Sequence, residues 1–163
     1  MSLLLVFLIA ASGCTTSTGT GNLVLQITDQ PNLDIEKADI TISSVQVHIA
    51  DAGNESGWIT VVEESQTFDL VAIKDVKDYL GGNELAVGKY TQIRLDIEKA
   101  LVTINGTEYN LTIPSRTVKL VRNFEIEENK TTTLTLDFDA QESIHSAGQS
   151  QYTLRPTIKV IQE

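Results

Sequence analysis

Apolar and polar residues alternate with a period of two along most of this chain. Leu23, Leu25 and Ile27 alternate with polar neighbours, as do Ile40 and Ile42, and then Val45, Val47 and Ile49. Successive side chains of a strand point to opposite faces, so this period predicts half-buried strands. The parity flips across Ser43-Ser44, which predicts a β-bulge or a strand crossing between sheets. Trp58 to Val62 and Thr67 to Leu70 read as short strands, and Tyr90 to Ile97 alternates through Ile93 and Leu95. Leu101 to Ile104 leads into Asn105-Gly106, a strong two-residue hairpin signal, and Tyr109, Leu111 and Ile113 return along the other arm. Val118 to Leu120, Phe124 to Ile126, Thr131 to Phe138 and Tyr152 to Ile161 complete the set. In Thr131 to Asp139, Leu134, Leu136 and Phe138 share one face. Thr133, Thr135, Asp137 and Asp139 share the other, which is expected to be solvated. One segment reads as helix: Ile73, Val76 and Leu80 fall at helical spacing before Gly81-Gly82, predicting a short helix near 71–80. The fold class expected is all-β, an antiparallel β-sandwich with that one helix.

The first twenty-one residues follow a different rule. Leu3 to Ile9 is an unbroken apolar run, followed by Ala10-Ala11-Ser12-Gly13-Cys14 and a polar, threonine-rich stretch to Gly21. The run is shorter than the roughly 20 residues a spanning helix needs and matches the apolar part of an export signal. Small residues before Cys14, the sole cysteine, make a lipobox-like site whose thiol would carry a diacylglyceryl group. Two or more acyl chains give stable anchoring at about 0.8 kcal/mol per buried methylene. Two features depart from the pattern: Met1-Ser2 carries no basic residue, which a basic stretch lost upstream of Met1 would explain, and Ala11 stands where a lipobox usually has leucine. An ordinary cleaved signal with an incidental cysteine is the alternative. The expected organisation is a signal peptide over 1–13, a lipidated cysteine and flexible linker over 14–21, and a single β-sandwich domain over 22–163.

Charge narrows the partners. The net charge is -10, and Met1 to Gly21 contributes none of it. A surface this acidic repels phosphate backbones, so no nucleic-acid partner is expected. No second cysteine is present to form a disulfide within the chain, so stability rests on packing and strand pairing.

With these residues in view, the chain resembles a family of bacterial and archaeal lipoproteins known as domain of unknown function 4382. The matching pieces are Gly21-Asn22-Leu23-Val24-Leu25-Gln26-Ile27-Thr28-Asp29-Gln30-Pro31, Ile42 to His48, Gly57-Trp58 and Phe68-Asp69-Leu70. Val87 to Leu95, Leu136 to Ala140 and Tyr152 to Pro156 follow, and Gly88-Lys89-Tyr90-Thr91-Gln92-Ile93-Arg94-Leu95 is the most specific of them. The resemblance implies a surface-anchored β-rich domain and carries no assigned activity onto these residues.

Candidate chemistry is sparse. Asn54, Asn105, Asn110 and Asn129 each open an Asn-x-Ser/Thr triplet and are candidate glycosylation sites. Asn-Gly and Asn-Lys are also turn-formers, and both readings stand. Asp29, Asn32 and Asp34 offer oxygen ligands for Ca²⁺ in a loop after the first strand, without the spacing of a known calcium loop. An Asx/Pro turn that ends the strand is the favoured reading, and Ca²⁺ the weaker one. Asp51, Asn54 and Glu55 form a similar loop. Asp137 and Asp139, about 7 Å apart along one strand face, have the spacing of an acid–base pair. His48 and His145 have no second ligand at zinc spacing, and no nucleophile motif or phosphate loop occurs. Arg94 and Arg155 interrupt apolar patterns and are expected to pair with carboxylates such as Asp96 or Asp137, anion binding being the alternative. Trp58 is expected to be buried, an exposed ring for sugar stacking being the alternative.

The function expected is a non-enzymatic cell-surface lipoprotein, a ligand-binding or adhesion-type module held to the outer face of the membrane by Cys14. No catalytic residue is assigned, and an extracellular glycan or protein is the expected partner. The alternative is a structural subunit that self-assembles by strand addition, with Leu23 to Thr28 as the segment freest to exchange. A metal-assisted hydrolase using Asp137, Asp139 or Asp29 ranks behind both.

Overall fold

The computed structural model describes residues 19–29, 35–50, 52 and 56–163. The signal segment, Cys14, Asn32, Asp34, Asp51, Asn54 and Glu55 lie outside the described residues. Two mixed sheets form an all-β sandwich. The smaller contains β12 (Ile158–Gln162), β9 (Thr131–Phe138), β1 (Thr20–Asp29) and β5 (Asp78–Ala86), in that order. The larger runs β10 (Ile144–Gly148), β11 (Gln151–Leu154), β7 (Thr107–Thr112), β6 (Gly88–Ile104), β2 (Lys37–Ile49) and β3 (Trp58–Val62). In addition, β4 (Gln66–Asp69) pairs with β2, and β8 (Thr117–Ile126) pairs with β6. The expected alternation explains the core. Leu23, Leu25 and Ile27 of β1, Leu134, Leu136 and Phe138 of β9, and Ile93, Leu95 and Ile97 of β6 are all buried between the sheets. Burying such side chains contributes about 1.5–3 kcal/mol each.

The sheets are not wholly antiparallel. Strand β9 runs parallel to β1, from Asn22 opposite Thr131 to Asp29 opposite Phe138, and β11 runs parallel to β7. Register shifts at Thr41/Ile42 and Ile42/Ser44 in the β2–β6 pair are the irregularity that Ser43-Ser44 predicts. They turn Ile40, Ile42, Val45 and Val47 to the same buried face despite the change of parity.

The helix expected near 71–80 is absent. Residues 70–73 form a run of turns, in which Ile73 N–H donates to Asp69 O at 3.1 Å, and β5 begins at Asp78. Gly81-Gly82 does not end a helix; both glycines lie within β5. A side-chain carbon on Gly81 would come within 2.4 Å of Val62 Cγ2, and one on Gly82 within 2.6 Å of Leu23 O. Gly81 lets the two sheets approach at this edge, and Gly82 leaves room for the backbone of the neighbouring strand β1. The one helix among the described residues is α1 (Ala140–Ser143), four residues long, with Asp139 as its N-cap accepting from Glu142 N–H at 2.9 Å.

Strand β1 fixes which end the chain enters. Its first residues meet Val87 and Asn129, since Gly19 O accepts from Val87 N–H and Thr20 O from Asn129 N–H. Its last residue meets the far end, where Asp29 O accepts from Asp75 N–H. The entry end therefore also holds Ala50 and Lys89, while the far end holds α1, the 70–77 turns and the Asn105-Gly106 hairpin.

Candidate functional site

The outward face of the larger sheet carries the most organised group of polar and aromatic side chains. Alternation dictates it. With Val45, Val47, Ile93 and Leu95 turned inward, Gln46, His48, Gln92 and Arg94 must turn outward. Pairing sets them in rows. Thr60, Gln46, Arg94 and Lys119 form one row across β3, β2, β6 and β8, and Trp58, His48, Gln92 and Val121 form the next. Neighbouring strands lie about 4.8 Å apart, so the two rows make a flat platform about 14 Å wide.

Arg94 reaches across β2 to Trp58, with its guanidinium carbon 4.0 Å from the ring centroid. The edge of His48 meets the same indole, with centroids 5.0 Å apart and planes at 65°. His48 is only 6% exposed for an outward residue, because Trp58 covers it. Gln46 Nε2 donates to Thr60 Oγ1 at 3.4 Å. Asp96, at the margin of the platform, accepts from Ser44 Oγ at 2.8 Å and from Thr117 Oγ1 at 2.6 Å. The expected pairing of Arg94 with Asp96 is therefore not formed: two hydroxyls hold the carboxylate, and the indole holds the guanidinium. Among the described residues Arg94 has no ion pair, and its Nε is buried without a hydrogen-bond partner. Trp58 is half-buried, so neither the fully buried ring nor the free sugar-stacking ring describes it; Arg94 occupies one of its faces.

The second group lies at the far end. Asp137 sits between Thr28 of β1 and Lys159 of β12 and is 8% exposed, with Oδ1 buried and unpartnered. Its expected solvated face is covered. Thr135 is fully buried and donates to Glu163 Oε1 at 3.1 Å, while Lys77 from the neighbouring turn binds that same carboxylate. Burial pushes the Asp137 carboxyl above the ordinary value of 3.8, Lys159 pulls it down, and Asp139 adds a further rise. Asp139 caps α1 through one carboxylate oxygen and still acts as a neighbouring charge on Asp137. A cleft of about 220 Å³ lined by Asp137, Asp139, Thr157 and Lys159 opens beside them.

Asp29 is a brace. It is fully buried, and its Oδ1 accepts from Ala140 N–H at 3.0 Å, tying β1 to α1. Of the expected Ca²⁺ ligands it is the only one among the described residues. No group of three or more His, Cys, Asp or Glu side chains among the described residues is placed to hold a metal ion. Asn105 and Asn129 adopt left-handed backbone with φ of 49° and 57°, as turn residues do, and both are exposed. Asn110 is exposed on β7. His145 is exposed on β10. Arg155 has no ion pair among the described residues and lines a groove of about 470 Å³ with Pro114, Val118, Leu154 and Pro156. Sequence reasoning took Arg94 and Trp58 one at a time; the register that joins them through β2 was the missing signal.

Among curated proteins none matches the chain. A crystal structure of a candidate cell adhesion protein from Bacteroides ovatus is similar at 10% identity with a TM-score of 0.25. That similarity covers 87% of this chain and 44% of that protein, so the chain spans less than half of its length. A family model matches residues 20–156 almost from the first strand to the last, and the chain thus belongs to the family described as Domain of unknown function (DUF4382).

Proposed function

We propose that this protein is an exported lipoprotein whose β-sandwich acts as a non-enzymatic binding module at the outer surface of the cell. The observation that carries the reading is the platform on the larger sheet, where the Arg94 guanidinium rests over Trp58 beside the hydrogen-bonding side chains Gln46, Gln92 and Thr60. Such a face suits recognition, because its side chains are fixed before a ligand arrives. The address comes from Leu3 to Cys14. Cys14 to Gly19 is five residues, a reach of at most about 17 Å, so an acylated Cys14 would keep the entry end close to the bilayer. The α1 end and the Asn105-Gly106 hairpin would then face outward, and the platform would lie along the flank.

Intact mass of the protein extracted from native membranes tests this reading. A species starting at Cys14 with added diacylglycerol mass is the expected result, and added hexose mass would identify glycans on Asn54, Asn105, Asn110 or Asn129. A species cut elsewhere and free of lipid would remove the anchor.

A second reading, assembly by strand addition, is favoured by β8. That strand pairs with β6 alone among the described residues, and its Val121 is 85% exposed. An unpaired edge of this kind can accept a strand. The expected exchange segment must change, because Leu23 to Thr28 is paired on both sides, with β5 and with β9. Electron microscopy of native material distinguishes the two readings: fibres or lattices favour assembly, and dispersed particles favour the solitary module.

A further inference from the structure

We infer that Arg94 and Lys119 form a recognition site for the carboxylate of a sugar acid, presented within an otherwise neutral glycan. This rests on the reading of the chain as a surface binding module and gives that module a ligand class.

Arg94 and Lys119 are directly opposite one another in the β6–β8 pair. Cβ atoms of such partners lie about 5 Å apart, and like charges in that position destabilise a sheet. The chain has 22 acidic residues and 12 basic ones, so carboxylates to neutralise the pair are plentiful in its composition. None is used. No ion pair among the described residues involves either cation, and the nearest carboxylate on the platform, Asp96, is occupied by Ser44 and Thr117. The guanidinium carbon rests 4.0 Å from the Trp58 ring centroid, while the Nε is buried without a partner. What remains is the terminal edge of the fork, whose two N–H groups match the two oxygens of a carboxylate. The guanidinium lies on the β3 side of Arg94 and Lys119 on the β8 side, so an oxyanion received at the fork would gain the further attraction of the flexible Lys119 ammonium.

The surroundings select the rest of the ligand. Gln46, Gln92 and Thr60 flank the cations and offer amide and hydroxyl groups, which suit the many hydroxyls of a sugar. The net charge of -10 disfavours a polyanion approaching the whole surface, but scarcely affects a ligand with one charge. A single carboxylate on a neutral, hydroxyl-rich scaffold satisfies both conditions. A densely acidic peptide or a sulfated polymer satisfies only the first.

Trp58 is the only tryptophan, so its emission reports directly on the stack. The full chain is titrated with 3′-sialyllactose, lactose, sodium acetate and a tetraglutamate peptide, following that emission. The expected result is a saturable change with sialyllactose and none with lactose at the same concentration. Arg94→Gln should weaken binding roughly tenfold or more, since a charge-assisted bidentate contact is lost. Lys119→Gln lies on an exposed side chain and should weaken binding several-fold without lowering the melting temperature. Arg94→Lys keeps the charge, and so separates the fork geometry from simple attraction; it should bind less well than the parent. An equal response to acetate, tighter binding of tetraglutamate, or unchanged affinity in Lys119→Gln and Arg94→Lys would each overturn the proposal. The surface reading fails differently. Arg94-dependent binding by a protein that never reaches the cell exterior would sink the module reading and support the site. A lipidated surface protein indifferent to sialyllactose would sink the site alone.

Discussion

Arg94 crosses β2 to lie over the ring of Trp58, 4.0 Å from its centroid, although the two residues belong to strands that do not touch. The contact bridges three strands, passing over the outward face of β2 that carries Gln46 and His48. A cation over an indole face contributes about 0.5–1 kcal/mol at a partly exposed site. A double-mutant cycle with Arg94→Ala and Trp58→Ala, measured by urea unfolding and circular dichroism, should return a coupling of that size. A coupling below about 0.3 kcal/mol would mean that the guanidinium merely rests there.

Asp137 should make stability fall as pH rises. Burial raises its folded-state value above the ordinary 3.8, despite the opposing attraction of Lys159. A carboxyl with a raised folded value binds its proton more tightly when folded. Its contribution is therefore fully present below pH 3.8 and is lost as pH climbs through the folded value. Asp137→Asn removes this dependence. The variant should match the parent in acid and exceed it on the order of 1 kcal/mol at neutral pH, because a buried unpartnered charge is gone. Urea midpoints from pH 3 to 7 provide the check, and a difference that does not change with pH would refute the account.

The strands were legible because their chemistry is local. The period of two identified β1, β2, β6 and β9, the Ser43-Ser44 irregularity and the Asn105-Gly106 turn. What failed depended on distant partners. Ile73, Val76 and Leu80 have helical spacing, but Asp69 and β1 draw the segment into turns and then into β5. Gly81 and Gly82 look like a helix stop until Val62 and Leu23 are seen against them. The polar face of β9 looks solvated because nothing near it in sequence reveals that Lys77 and Glu163 cover Thr135. The platform failed for the same reason: Arg94 and Trp58 are 36 positions apart, and only register unites them.

Asp69 should prove the residue that commits the 70–77 segment to turns. Its Oδ1 accepts from Ala38 N–H and from Val71 N–H, each at 3.1 Å, closing one strand end and opening the turn. Asp69→Ala leaves both donors without that partner and should cost about 2 kcal/mol in urea unfolding. Asp69→Asn keeps an oxygen in place and should cost well under half as much. Equal losses in the two variants would show that charge, not the paired hydrogen bonds, holds the turn.

Gly19 and Gly21 permit a sharper test of the entry end, because both are crowded but by different kinds of atom. A side-chain carbon on Gly21 would stand 2.2 Å from Glu127 O, a backbone atom tied down by the bonds from Lys130 N–H to Glu127 O and from Asn22 N–H to Lys130 O. A carbon on Gly19 would stand 2.8 Å from the Glu128 carboxylate, the free end of an exposed side chain. Backbone cannot give way without breaking the lacing of the 127–130 turn to β1, whereas a glutamate swings aside. Gly21→Ala should therefore lose about 2 kcal/mol or more, as overpacked positions do, and Gly19→Ala should stay within about 0.5 kcal/mol of the parent. Thermal and urea unfolding of the two variants side by side decide the matter. If Gly21→Ala is as mild as Gly19→Ala, the 127–130 turn is not the fixed lattice point at which the chain enters the sandwich.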